Sequence, residues 1–348
     1  MNILKSAPLA AFACGLILTA GAAAQKKKKE VTQTLQLPKE LPTTAIGETR
    51  RLTFHVTPLS AKGLLSAQVR EALKALNRET NGPVIHIRAF VAGSGDLRRV
   101  RDLVSETFTD HKQPLPSLSL VQAGGLPLEG AQVVLEAIAV GKKEVNPQGL
   151  VFIPATVAAN PNPLAPVAPL AGQSLAALQA NLQASGSEAA DVLRVTCFLS
   201  SLDNIDDTRS QVAAAYPRAA LDFVQNQRAP GRAVAACEAV ARAAAGASKG
   251  AVTNAPMLLF SGSQVSFGYQ ESDSRLAFER LRKSIETAGV GRSDIVFAHY
   301  YPLAESMAAQ VRKLAPDFFG APASTLLLFE GLPSMQAGFA VDVIAAKP

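Results

Sequence analysis

Three carboxylates recur in one setting along this chain. Glu136, Glu238 and Asp342 each interrupt an apolar, strand-like run: VVLEAIAV (133–140), ACEAVARA (236–243) and FAVDVIAA (339–346). The acids stand 102 and 104 residues apart, and a turn pair precedes each one, Leu126-Pro127, Ala229-Pro230 and Leu332-Pro333, at two intervals of 103. A carboxylate within hydrogen-bond reach of a water can assist its attack on an electrophilic carbon. Repetition at one location also follows from common descent, in which case the acids are strand-end groups facing solvent. Cations that could work with them are few. Arg88 lies in VIHIRAFV (84–91), with Thr196 and His299 at the equivalent places of VLRVTCFL (192–199) and IVFAHYYPL (295–303), and Arg228 directly precedes the second turn pair. A guanidinium fork grips a carboxylate bidentately, so Arg88 is either a ligand-binding cation or one half of a structural salt bridge. His299 reads as packed beside Tyr300 and Tyr301.

The elements that must position these groups also come in threes. Leu65, Val69, Leu73 and Leu76, then Leu175, Leu178 and Leu182, then Phe278, Leu281 and Ile285 have helical spacing. Gly82, Gly186 and Gly289 stand at or just beyond their ends, where a C-terminal glycine is expected, and Asp273 or Ser274 is the expected N-cap of the third. A strand follows each helix, then a second helix, marked by Val100, Leu103 and Val104 in the first copy and by Met307, Val311, Leu314 and Phe318 in the third. Two strands close each copy around its turn pair. RRLTFHV (50–56), GLVFIPA (149–155) and MLLFSGSQ (257–264) open the copies. The pattern predicts an α+β fold with helices on one face of a sheet. The expected organisation is an N-terminal export segment at 1–25, a basic tether at 26–47, and units at 48–142, 146–245 and 250–348. The Pro-rich ANPNPLAPVAPL (159–170) reads as a long loop inside unit two.

GGLPLEGAQVVLEAIAV in unit one, CEAVAR in unit two, and LLFSGSQ, EGLP and VDVIAA in unit three, taken with the element order, resemble the RidA/YjgF family of reactive intermediate deaminases, also labelled endoribonuclease L-PSP. The resemblance covers about residues 48–348 in three degenerate copies. It implies three chorismate-mutase-like units, each a mixed sheet with two helices on one face, joined as an internal pseudo-trimer, where the family assembles three separate chains with a ligand cleft at each junction. It also implies hydrolysis of an enamine or imine (a deaminase activity) on a small carboxylate- or carbonyl-bearing metabolite. In that scheme Glu136 and Glu238 orient water, and an arginine eight residues before the turn pair grips the substrate. That position holds Leu118, Leu221 and Ser324, and none is arginine. Arg88, Leu118, Leu221, Ser324 and Asp342 are therefore the candidate substrate-binding positions. The alternative is a non-catalytic ligand-binding or scaffold protein that kept the fold and lost the anion clamp, since fold alone does not transfer function.

Composition narrows the remaining classes. With 348 residues, 48% hydrophobic and 18% charged, the chain can bury a large core and is not disordered. Of the formal charge of +6, Lys5 and Lys26–Lys29 account for most, leaving the remainder near +1. Nucleic acid is therefore not an expected partner, while the lysine run allows weak contact with an anionic membrane surface. MNILKSAPLAAFACGLILTAGAAAQ reads as an export signal cut near Ala24, or else a retained anchor, which points to a periplasmic or secreted protein. Beyond it only Cys197 and Cys237 remain. They read slightly better as two buried thiols than as a disulfide. No cofactor or metal is expected: AGSGDLR (92–98) lacks the third glycine of a dinucleotide loop, the four histidines have no ligand spacing, DNIDD (203–207) lacks the glycine and distal Glu of a calcium loop, and no GxSxG occurs.

Overall fold

The computed structural model describes residues 37–93, 95–247 and 251–348. The expected export segment and the Lys26–Lys29 run lie outside them. Unit one comprises β2 (Leu52–Val56), α1 (Leu65–Glu79), β3 (Val84–Ala92), α2 (Leu97–Asp110), β4 (Ser117–Ala123) and β5 (Val133–Val140), preceded by β1 (Thr44–Glu48). Unit two is β6 (Leu150–Asn160), α3 (Val167–Ala184), β7 (Val192–Leu199), α4 (Ile205–Ala215), β8 (Ala220–Gln225) and β9 (Ala233–Arg242). After β10 (Val252–Thr253), unit three adds β11 (Met257–Ser261), β12 (Gln264–Phe267), α5 (Glu271–Thr287), β13 (Ile295–Pro302), α6 (Glu305–Phe319), β14 (Ala323–Leu326) and β15 (Ala337–Lys347).

Each unit builds one mixed sheet in the same way. The opening strand pairs antiparallel with the last, the last pairs antiparallel with the middle strand, and the middle strand runs parallel to the one after the second helix. A parallel pair needs a crossover, which α2, α4 and α6 supply. The helices of each unit cover one face of its sheet, giving three separate cores such as Leu65, Val69, Leu73 and Leu76 of α1 against Ile87, Ala89 and Val91 of β3. Side chains alternate across a strand, so His86, Arg88 and Phe90 of β3 point to the opposite face. The three opposite faces meet each other around a pseudo-threefold axis in two shared apolar clusters. One contains Phe54, Phe152 and Phe260; the other contains Phe90, Phe198 and Phe329.

Several local expectations change. Residues 44–47, assigned to the tether, form β1 together with Glu48, and β1 pairs antiparallel with β11 of unit three. β10, leading into unit three, pairs likewise with β6 of unit two, and Val145 and Asn146, leading into unit two, donate backbone hydrogen bonds to Arg50 of unit one. Each leading segment therefore satisfies backbone groups at the edge of a neighbouring unit, which would otherwise be unpaired. Five residues are too few for periodicity to reveal this. The Pro-rich stretch is not a long loop: β6 runs to Asn160 and α3 begins at Val167 with Pro166 as its N-cap, because the first turn of a helix tolerates proline. Gly186 and Gly289 follow α3 and α5 with positive φ (76° and 79°). Gly82 instead lies where a Cβ would sit 1.9 Å from the Val140 carbonyl oxygen, a close strand approach rather than a helix cap. The N-cap of α5 is Gln270, and Asp273 accepts from its N–H at 3.0 Å from position N3. Cys197 and Cys237, expected as thiols, form a disulfide. They occupy directly facing positions of β7 and β9 on the helix side of the sheet, with Cα atoms 4.1 Å apart.

Candidate functional site

The three acids lie in one layer on the axis. Arg88 faces Glu136 across β3 and β5, Thr196 faces Glu238 across β7 and β9, and His299 faces Asp342 across β13 and β15. On the fourth strand of each sheet the same register holds Ser119, Asp222 and Thr325. The acids are not strand-end groups facing solvent: Glu136 is 0% exposed, and Glu238 and Asp342 are 3%.

Partners come from other units. Arg88 donates from Nε to Glu136 Oε2 at 2.6 Å and from Nη2 to Glu238 Oε1 of unit two at 2.6 Å. Thr196 of unit two donates back to Glu136, whose Oε2 also lies 3.2 Å from Arg194 Nη1. His299 joins Asp342 (Nδ1 to Oδ1, 2.8 Å) to Glu238 of unit two (Nε2 to Oε1, 3.2 Å). Asp342 Oδ2 accepts from Ser119 of unit one at 2.6 Å and from Tyr301 at 2.9 Å. The Arg88 guanidinium lies 5.1 Å from the Phe90 ring centroid and 5.8 Å from that of Phe198, so aromatic faces close the layer on that side. The opposite apolar cluster, with Phe54, Phe152 and Phe260, closes the other.

Burial opposes ionisation throughout this layer, and the fixed charges decide the outcome. Burial would raise the Glu238 carboxyl, but Arg88 and His299 hold it well below the usual carboxylate range. Glu136 is held down against burial by Arg194 and Arg88, and Asp342 by His299. Burial pushes His86 down to about 4, with nearby Arg88 adding to the effect, so it is neutral and pairs its Nδ1 with Ser117 Oγ at 2.9 Å. Asp222 goes the other way: burial and the neighbouring Glu136 raise its carboxyl well above the usual range. Burial works to lower His299, yet Glu238 and Asp342 leave it raised. Two arginines and a protonated His299 balance three carboxylates; a neutral His299 leaves the layer one negative charge in excess.

This arrangement sets a pH dependence. The folded pKa of His299 lies above its unfolded value of about 6.5, so its contribution is fully present below that pH and is lost as pH rises through the folded value. The expected result is stability that declines on the alkaline side with a slope of up to about 1.4 kcal/mol per pH unit from this group. His299→Gln removes that component, which urea unfolding of both proteins across pH 6 to 9 would measure; parallel profiles would refute it. The lowered acids act oppositely: their stabilisation is lost as pH falls through their folded values.

The other expected site residues are scattered. Leu118 is half-buried beside a cleft between units one and three, and its carbonyl accepts from Ser263 N at 3.1 Å. Leu221 packs against the core of unit two, and Ser324 is exposed. Arg228 is exposed, its backbone N–H donating to Glu330 and its Nε to the Gly124 carbonyl. His299 is not merely packed beside tyrosines: it stacks on Tyr301 and bridges two acids. Its equivalence to Arg88 was the available signal. Arg194 and His86 carried another, standing two residues before Thr196 and Arg88 and therefore on the same strand face. Among the described residues, no group of three His, Cys, Asp or Glu side chains could hold a metal ion.

No family model and no curated protein matches the chain. Solved structures of the RidA/YjgF type are similar to part of it. A member of the YjgF/YER057c/UK114 family from Mycobacterium tuberculosis is 19% identical, covering 28% of this chain and 83% of its own, with a TM-score of 0.25. TdcF from E. coli, solved with bound serine, is 16% identical over 26% of this chain and 81% of its own, with a TM-score of 0.24. A protein of the Rid family from Yersinia pestis is 20% identical over 30% of this chain and 91% of its own, with a TM-score of 0.25.

Proposed function

We propose that this chain is a non-catalytic member of the RidA-type fold, a small-ligand-binding or scaffold protein rather than an imine deaminase. One observation supports this above all: the acids that would orient water are sealed into an ion network with no room for substrate. The space beside Arg88, His86, Arg194, His299 and Asp342 is about 10 Å3, room for a single water. The deaminase reading needs a carboxylate and a substrate-gripping cation together in an open cleft. Here the cations nearest the acids, Arg88, Arg194 and His299, are spent on Glu136, Glu238 and Asp342, and positions 118, 221 and 324 carry no charge.

The expected outcome is ammonia release from freshly generated 2-aminoacrylate at the uncatalysed rate, with Glu136→Gln changing stability and not that rate. A wild-type rate above background that falls in the folded Glu136→Gln protein would overturn the reading. Export to the periplasm or medium belongs to the same proposal. The Cys197–Cys237 disulfide supports it, because such bonds persist in oxidising compartments; recovery of the chain in the cytosolic fraction with both thiols free would refute it.

A further inference from the structure

The threefold repeat makes the unit junctions equivalent in topology, but their linings differ. Between units one and three lies a cleft of about 480 Å3, within the size range of small-molecule sites. Its walls are largely apolar, including Leu118 and Leu120 of β4 and Val265 and Phe267 of unit three, and among the described residues no Asp or Glu borders it. Three arginines do: Arg98 and Arg101 on α2, three residues apart and so on one helix face, and Arg280 on α5. Arg280 is held in place, its guanidinium 5.4 Å from the Phe267 ring centroid and donating to the Val265 carbonyl. Among the described residues Arg98 pairs only with Asp96, at 3.4 Å and largely exposed, an arrangement of little energetic weight. Arg101 has no salt bridge or side-chain hydrogen bond among the described residues, where the other two do.

The junction of units two and three offers the contrast. Its cleft, about 470 Å3, is bordered by Arg232 and Arg312 but also by Glu305, which pairs with Arg232 at 3.3 Å. The two clefts are alike in size and differ in charge balance.

We propose that the cleft between units one and three binds an amphipathic organic anion, its apolar body against Leu118, Leu120 and Phe267 and its carboxylate or sulfonate within reach of Arg101 and Arg98. This deepens the ligand-binding reading above and rests on it. The position of Leu118 suits the apolar body, and the anion is met by cations on helices rather than by one on the strand. Fork-shaped guanidiniums suit planar or tetrahedral oxyanions. Because these arginines are exposed, affinity falls with ionic strength.

The test uses the full chain and a fluorescent anion, anilinonaphthalene sulfonate, with its uncharged analogue N-phenyl-naphthylamine as control. The expected result is saturable one-site binding of the anion, weakened roughly tenfold in Arg98→Ala/Arg101→Ala, with Arg312→Ala unchanged. The neutral dye should bind wild type and the double variant equally. Wild-type affinity in the double variant, or an equal loss in Arg312→Ala, would overturn the assignment. Both variants alter exposed side chains, and matching thermal melts establish that they are folded. Failure here leaves the ammonia-release result untouched, so this proposal and the non-catalytic reading fall separately.

Discussion

Replacing Arg88 with methionine is expected to destabilise the fold by about 3–5 kcal/mol, the largest single-site effect outside the apolar cores. The reason is the company Arg88 keeps. Its guanidinium pairs with Glu136 and Glu238 together, and both carboxylates lie between aromatic layers. Without Arg88, Arg194 and a protonated His299 face three carboxylates, so one buried negative charge is left in excess and is relieved only by taking up a proton or by opening the axis. Urea unfolding at neutral pH measures the loss. A second variant separates charge stranding from lost packing: Arg88→Met with Glu238→Gln removes one cation and one anion, leaves Arg194 with Glu136 and His299 with Asp342, and should recover much of the stability, since an ion pair exchanged for uncharged groups of similar volume is often near neutral. If Arg88→Met costs less than about 1 kcal/mol, or the double variant is worse than the single one, the network is not what holds the axis.

The disulfide carries the second large effect. Cys197 and Cys237 close a loop with a sequence separation of 40 that contains α4 and β8, and constraining the unfolded chain to that extent corresponds to roughly 4 kcal/mol in the chain-entropy account. Cys197→Ala/Cys237→Ala should therefore lower stability by about 2–4 kcal/mol. Dithiothreitol should destabilise wild type under unfolding conditions and leave the double variant unaffected. Both cysteines are 0% exposed, so reduction of the native protein should be slow and should follow opening of unit two, because thiol–disulfide exchange requires access to the sulfurs. Equal stability of the two proteins would mean that the bond adds nothing to the pairing of β7 with β9.

Much of the fold could be read from residue order. The run VLRVTCFL is β7 to the residue, and the stripe Leu65, Val69, Leu73 and Leu76 is the buried face of α1, because one-sided burial imposes a period on the sequence. The repeat of the acids at intervals near 103 residues marked three units and placed Glu136, Glu238 and Asp342 at one register. What escaped were features whose cause is not local. β1 is a strand because β11 offers it an open edge more than 200 residues away. Gly82 is glycine because Val140 passes beside it. Cys197 and Cys237 bond because pairing of β7 with β9 sets them face to face.

The same division runs through the site. Alternation along each strand already determined that Arg88, Thr196, His299 and the three acids turn away from the helices. It could not say what they meet there. Arg88 of unit one reaches Glu238 of unit two, Thr196 of unit two reaches Glu136 of unit one, His299 of unit three reaches Glu238 of unit two, and Ser119 of unit one reaches Asp342 of unit three. Strand periodicity acts over neighbouring residues and sets only a direction. Closure of three sheets on one axis decides the partner, and there it turned two candidate catalytic acids, Glu136 and Glu238, and the candidate substrate-binding Asp342 into the sealed centre of the molecule.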